Sequence, residues 1–345
     1  MNHNEFFDSL KNGVIRPLYL FEGTEEYIKG QAAARLCEQL LPQGMEQMNY
    51  SELLNPDADA LVAAAETLPF MAEKRVLLIR DCDLLTTASS GDNGTKLEAI
   101  EAYLDHQSPE TCLIFYNKGK ADGRKKLYQN LKKRGAIVDF SPMDDQEAAK
   151  WAVRTMRALG KQMDAGCAQT LVFTVGHDAA LLKQEMEKLA AYTGERETVT
   201  EEDIAAICIR SLECSVFQMV DAQVAGNNRD ACQLLNSVLE GGEDRFMVLA
   251  MLLRQYRILY HMRCLLDERA PANAQASLLG IPPFTLARTQ AQARRYPVEK
   301  LKAAYDYLFD LEYRLKSGQT PQEGSAETAL FKLDAILNGD RQTIA

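Results

Sequence analysis

The stretch LYLFEGTEEYIKG, residues 18–30, holds the residue types from which a phosphate-binding loop is built. An apolar run enters Gly23, four residues follow, and Lys29 stands where the pattern G-x-x-x-x-G-K-[ST] places its lysine. Such a loop needs backbone amides converging on the phosphates, a lysine for the terminal phosphates and a hydroxyl for magnesium. Here Ile28 occupies the position of the second glycine, and a β-branched residue resists positive φ. Gly30 replaces the metal-binding Ser or Thr, and Glu25 and Glu26 would set negative charge against a triphosphate. VLLIRDCD (76–83) is incomplete in the same way: Cys82 separates Asp81 from Asp83, so the adjacent acidic pair that orients magnesium is missing. The residues predict a strand–turn–helix with the framework of a nucleotide site but no nucleotide hydrolysis. The acids of GTEE suit a helix's first turn through its dipole.

Other chemistry is equally sparse. The eight cysteines fall at 37, 82, 112, 167, 208, 214, 232 and 264, with no C-x-x-C and no zinc-ligand spacing. They read as quiet thiols in a reducing compartment. His3, His106, His177 and His261 are scattered, and none accompanies a nucleophile motif. No catalytic residue, metal or cofactor is expected. A net charge of −10 over 345 residues argues against wholesale nucleic-acid binding. It leaves room for one basic run: Lys118, Lys120, Arg124, Lys125, Lys126, Lys132, Lys133 and Arg134, diluted by Asp122. That run either meets a phosphate backbone or is a solvated helix face.

These residues need elements to carry them. The length suffices for two or three domains, and 46% apolar with 26% charged residues is ordinary globular composition. No apolar run approaches the ~18 residues that span a bilayer, and MNHNEFFDSLKNG lacks a signal-peptide core, so the expected location is the cytoplasm. Strands are expected at Leu18–Phe21, Met48–Tyr50, Val76–Arg80, Cys112–Tyr116 and Ala136–Phe140. Helices are expected near Glu26–Leu41, Asp57–Thr67, Thr95–His106 and Asp122–Arg134, with a flexible loop at 88–94. This alternation, with doubly apolar runs such as VLLI and CLIF, favours a parallel sheet. After SPMDD (141–145) the pattern becomes helical throughout. Thr200 with Asp203 reads as a capping box, and Gly194 as a helix stop. FMVLAMLLRQYRILYHMRCLL is apolar nearly all round, as a buried bundle helix or a subunit-contact helix is. The fold class is therefore α/β plus all-α.

One further stretch, LPFMAEKR (68–75), concentrates large apolar residues around a proline. On spacing alone Leu68, Phe70 and Met71 either pack a helix–strand corner or stand out as a projecting tip, which Pro69 suits. Together with LYLFEGTEEYI, CLIFYNKGKADGRKKLYQNLKKRG (112–135), KQEMEKLAAYTGERETVTEEDI (183–204) and VFQMVDAQVAGNNRDACQLLNSVLEGGED (216–244), it resembles the delta subunit of the bacterial replicative clamp loader, a part of the DNA polymerase III holoenzyme. LLRQYRIL (252–259) and LGIPPFTLARTQAQARRYPVEKLKAAYDYLFDLEYRLKSG (279–318) continue the match.

The resemblance implies an AAA+-like, RecA-type parallel-sheet domain (1–140), a small helical lid (141–209) and a C-terminal helical collar (210–345). It implies no ATPase activity in this chain, in agreement with the damaged loop. It implies a hetero-pentamer with gamma or tau ATPase subunits and delta-prime, acting on the beta sliding clamp and on primer–template DNA. By it, Leu68, Phe70 and Met71 enter a pocket on the clamp, Met71 standing where relatives carry a second aromatic or a leucine. Two rival readings stay open: an active ATPase, which needs glycine at 28 and Ser or Thr at 30, and a helical adaptor unrelated to replication.

Overall fold

Continuous apolar runs form the strands: β1 (Leu18–Glu22), β2 (Tyr50–Leu54), β3 (Arg75–Arg80), β4 (Thr111–Tyr116) and β5 (Ala136–Asp139). In the computed structural model, which describes residues 1–86 and 94–339, they make one sheet in the order β2-β3-β4-β1-β5. Every pairing is parallel, with Leu18 opposite Leu113, Tyr19 opposite Ala136, and Val76 opposite both Tyr50 and Cys112. The inner strands β1 and β4 are buried along their whole length, because helices cover both faces of a parallel sheet.

The helices of this part are α1 (His3–Lys11), α2 (Glu26–Leu40), α3 (Glu46–Asn49), α4 (Ala58–Glu66), α5 (Gly94–Asp105) and α6 (Lys126–Arg134). On one face Leu18, Leu20, Leu77, Ile79, Leu113 and Phe115 join Leu61 of α4, Ile100 of α5 and Leu127 of α6 in a single core. On the other, Phe6 of α1 meets Tyr19 and Phe21 edge-on at ring distances of 5.5 and 5.2 Å. Four strands lie within a residue of the expected runs. β2 does not: the expected Met48–Tyr50 is mostly the short α3, and the strand is the YSELL that follows. α6 opens at Lys126 rather than Asp122, because Asp122 accepts from both the backbone and the guanidinium of Arg124 and makes a turn. The expected loop at 88–94 falls on 88–93, outside the described residues, and on Gly94, which opens α5.

Two compact units divide the chain, residues 1–143 with 178–180, and residues 144–177 with 181–345. The second is helical. It contains α7 (Asp145–Ala158), α8 (Ala165–Val175), α9 (Ala179–Tyr192, less its first two residues), α10 (Glu201–Ile207), α11 (Leu212–Ala225), α12 (Asn228–Glu240), α13 (Arg245–Asp267), α14 (Ala272–Leu279), α15 (Leu286–Arg294), α16 (Val298–Lys316) and α17 (Ser325–Asn338). The apolar-all-round segment is α13, and Leu252, Tyr256, Leu259 and Met262 are buried in a core shared with α11, α16 and α17. A buried polar chain ties these helices together. Tyr256 donates to Gln223 Oε1 at 2.8 Å, and Gln223 Nε2 donates to the Leu330 carbonyl at 2.9 Å. Among the described residues no helix is long and apolar enough to cross a membrane.

Candidate functional site

α2 begins at Glu26, so only Thr24 and Glu25 separate Gly23 from helix, and Ile28 is a buried helical residue. No loop is left to encircle a phosphate. Lys29 is fully buried and its ammonium is spent on the protein's own oxygens. It donates to the carbonyls of Gly23 (2.7 Å) and Asn117 (2.9 Å), pairs with Glu26 at 2.6 Å and lies 4.7 Å from the centre of the Tyr116 ring. Tyr116 donates to the second oxygen of Glu26 at 2.9 Å, and the Arg80 guanidinium stacks on the same ring and pairs with Glu52. Burial first, and then the Glu26 carboxylate, push the Tyr116 hydroxyl pKa up. A closed polar network thus fills the carboxyl ends of β1, β3 and β4, where ligands bind in open parallel sheets. The acids of the second element are also engaged: Asp83 pairs with Lys96 at 2.8 Å, and Asp81 accepts from the Lys118 amide at 3.0 Å. Among the described residues no group of three or more His, Cys, Asp or Glu is placed to hold a metal. The eight thiols are all free, and burial holds Cys112 up to about 12.

The segment between α4 and β3 is different. Leu68, Phe70 and Met71 are 73%, 51% and 76% exposed, three large apolar side chains within four residues. This is the projecting tip, not the packed corner. Two buried residues flank it. Arg75, 4% exposed at the start of β3, donates to the Thr67 carbonyl at 3.0 Å and to Ser51 Oγ at 2.9 Å, and its burial lowers the guanidinium pKa. Asn49, at the end of α3, accepts from the Phe70 amide at 2.7 Å and donates to the Phe70 carbonyl at 3.0 Å. Sequence reading missed both. Their partners lie 8 and 21 residues away, and neither contact leaves a periodic trace.

The basic run lies around α6, and its members differ in what they face. Arg124 forks onto Asp122, Arg134 pairs with Asp105, and Lys120 sits 3.5 Å from Asp139. Lys118, Lys126, Lys132 and Lys133 are exposed, and Lys125 is half-buried at the helix start. Lys132, Lys133 and Arg134 occupy the last turn, where the helix dipole favours cations. Lys125 and Lys126 stand at the first turn, where it opposes them.

Residues 19–141 match the family described as DNA polymerase III, delta subunit, and residues 213–333 match the DNA polymerase III delta subunit, C-terminal domain. DNA polymerase III subunit delta of Bacillus subtilis (strain 168) is 26% identical over 333 residues, covering 95% of this chain and 96% of that protein. The solved structure of the Bacillus subtilis DNA clamp loader delta protein aligns with a TM-score of 0.57 at 25% identity, over 96% of this chain and 99% of that one. The apolar tip and the basic run both fall inside the first match, and α13 inside the second. With both family domains present in order, one in each compact unit, the chain belongs to the DNA polymerase III delta-subunit family.

Proposed function

We propose that this chain is the clamp-binding subunit of a replicative clamp loader, acting in DNA replication by seating Leu68, Phe70 and Met71 in a pocket of the beta sliding clamp. The observation that carries the reading is their exposure on a segment whose backbone is tied to buried Asn49 and Arg75. Exposed apolar clusters of this kind mark interaction sites, and a few anchors dominate an interface. Ring opening follows if the tip binds the sprung ring better than the closed one, since a ligand without that difference shifts nothing. In this reading residues 141–209 form the lid and 210–345 the collar that joins gamma or tau and delta-prime in a pentamer. ATP turnover belongs to those partners, because the lysine, tyrosine and arginine at the sheet's carboxyl end hold one another.

The test is clamp retention. Phe70→Ala with Met71→Ala removes two anchors worth about 1.5–3 kcal/mol each on full burial. Because both are already partly packed, the expected loss is about 2–4 kcal/mol, ~30- to ~1000-fold in clamp Kd. Assembly with the other loader subunits should be unchanged. Retention of the clamp by the double variant at wild-type affinity would remove the assignment. The dipole-opposed Lys125 and Lys126 favour a second contact, with the backbone of primer–template DNA held by the assembled loader.

A further inference from the structure

The tip depends on a residue outside it. Asn49 is 0% exposed, and its amide makes three bonds. Phe70 N–H donates to Oδ1 at 2.7 Å, and Nδ2 donates to the Phe70 carbonyl at 3.0 Å and the Met45 carbonyl at 3.1 Å. The pair of bonds to one residue copies the exchange between opposed residues of an antiparallel ladder, here made by a side chain. Among the described residues no main-chain to main-chain hydrogen bond secures residues 68–74. Met71 moreover sits at φ 49°, a region that a non-glycine residue occupies only when its surroundings impose it. A segment without ladder bonds and with a disfavoured dihedral does not hold one shape by itself.

We infer that Asn49 is the positioning residue of the tip: its amide brackets the Phe70 peptide so that Leu68, Phe70 and Met71 are presented before any partner arrives. The inference rests on the clamp-binding reading and adds to it the residue that preorganises the binding element. Ordering a loop at the moment of contact weakens association, and a protein that is competent only part of the time binds with proportionally higher apparent Kd. Asn49 itself touches no partner. It acts through the Phe70 peptide.

The test uses the full chain and the sliding clamp of the same organism. In Asn49→Ala the Phe70 amide should exchange with solvent at least tenfold faster, while the amides of Leu77 and Leu78 in β3 keep their protection. Clamp Kd should rise about 10- to 100-fold, mainly through slower association, as expected when a few residues must be ordered on binding. Asn49→Ser, whose hydroxyl can still reach the Met45 carbonyl but cannot bracket a peptide, is the second variant should the alanine chain fail to fold. Unchanged protection of Phe70 overturns the inference. So does a freed Phe70 amide with clamp Kd within twofold of wild type, the result expected of a residue that only stabilises the fold. Failure of the clamp-binding reading looks different: Phe70→Ala then leaves clamp Kd unchanged whatever the exchange data show.

Discussion

A buried ammonium has to be surrounded by oxygen, and Lys29 is, by two carbonyls and a carboxylate. Its removal by Lys29→Met leaves the Asn117 carbonyl without its side-chain donor and takes one of two donors from the Gly23 carbonyl, which keeps the Gly119 amide, and from half-exposed Glu26, which keeps Tyr116. The expected loss is about 1–3 kcal/mol of stability, read from the urea midpoint at pH 7. No ATP hydrolysis should be measurable in the wild-type chain or the variant, since the lysine holds the protein together and reaches no phosphate. A midpoint shift of less than a few tenths of a molar would contradict this role. That the loop was broken could be read from Ile28 and Gly30. Where Lys29 goes could not, because one of its carbonyl partners lies 88 residues along the chain. Asn49 is the same case: an amide among EQMN says nothing of a peptide 21 residues further on.

At the scale of the element, short-range grammar was readable and context was not. Thr200 and Asp203 do form the capping box of α10, with Asp203 accepting from the Thr200 amide at 2.9 Å. Glu312 and Lys316 pair at 2.8 Å along α16. Such motifs need only neighbours three or four positions apart. β2 lies outside the expected run because YSELL is not continuously apolar and its residues sit at a half-exposed sheet edge. α1 went unread in the polar N-terminal segment. The α10 cap also predicts a pH dependence. Arg196 forks onto Asp203 at 2.6 and 2.9 Å and, with the cap amide, holds its carboxyl down to about 2. The folded-state value lies below the ordinary one of about 4, so the unfolded chain takes up the proton first. The contribution is therefore present above pH ~4 and lost as pH falls towards 2. Asp203→Asn should cost about 1–2 kcal/mol at pH 7, reduced from the full linkage value because Arg196 is half-exposed, and nearly nothing near pH 2. Thermal melts of both chains across that range measure it; an equal loss at both ends would refute the assignment.

A molecule of net charge −10 repels a polyanion at a distance, so any contact with DNA has to be made where the local sign is reversed. α6 is such a place, and its two ends carry different meaning. The cations of its last turn are accounted for by helix stability, whereas Lys125 and Lys126 work against it. Lys125→Glu with Lys126→Glu should therefore lower the log–log salt slope of loader binding to primer–template DNA by about 2, one per lost phosphate contact. Clamp Kd should not move. An unchanged slope would leave the basic run as a solvated face. Gly23 carries one more consequence. At φ 116°, a methyl placed on it would stand 2.3 Å from the carbonyl carbon and oxygen of Phe140, where the chain leaving β1 lies against the end of its parallel neighbour β5. The one glycine that most invites thoughts of a triphosphate is thus kept bare by the close approach of two parallel main chains. A glycine there testifies to how tightly the first and last strands lie side by side, whatever the chain binds.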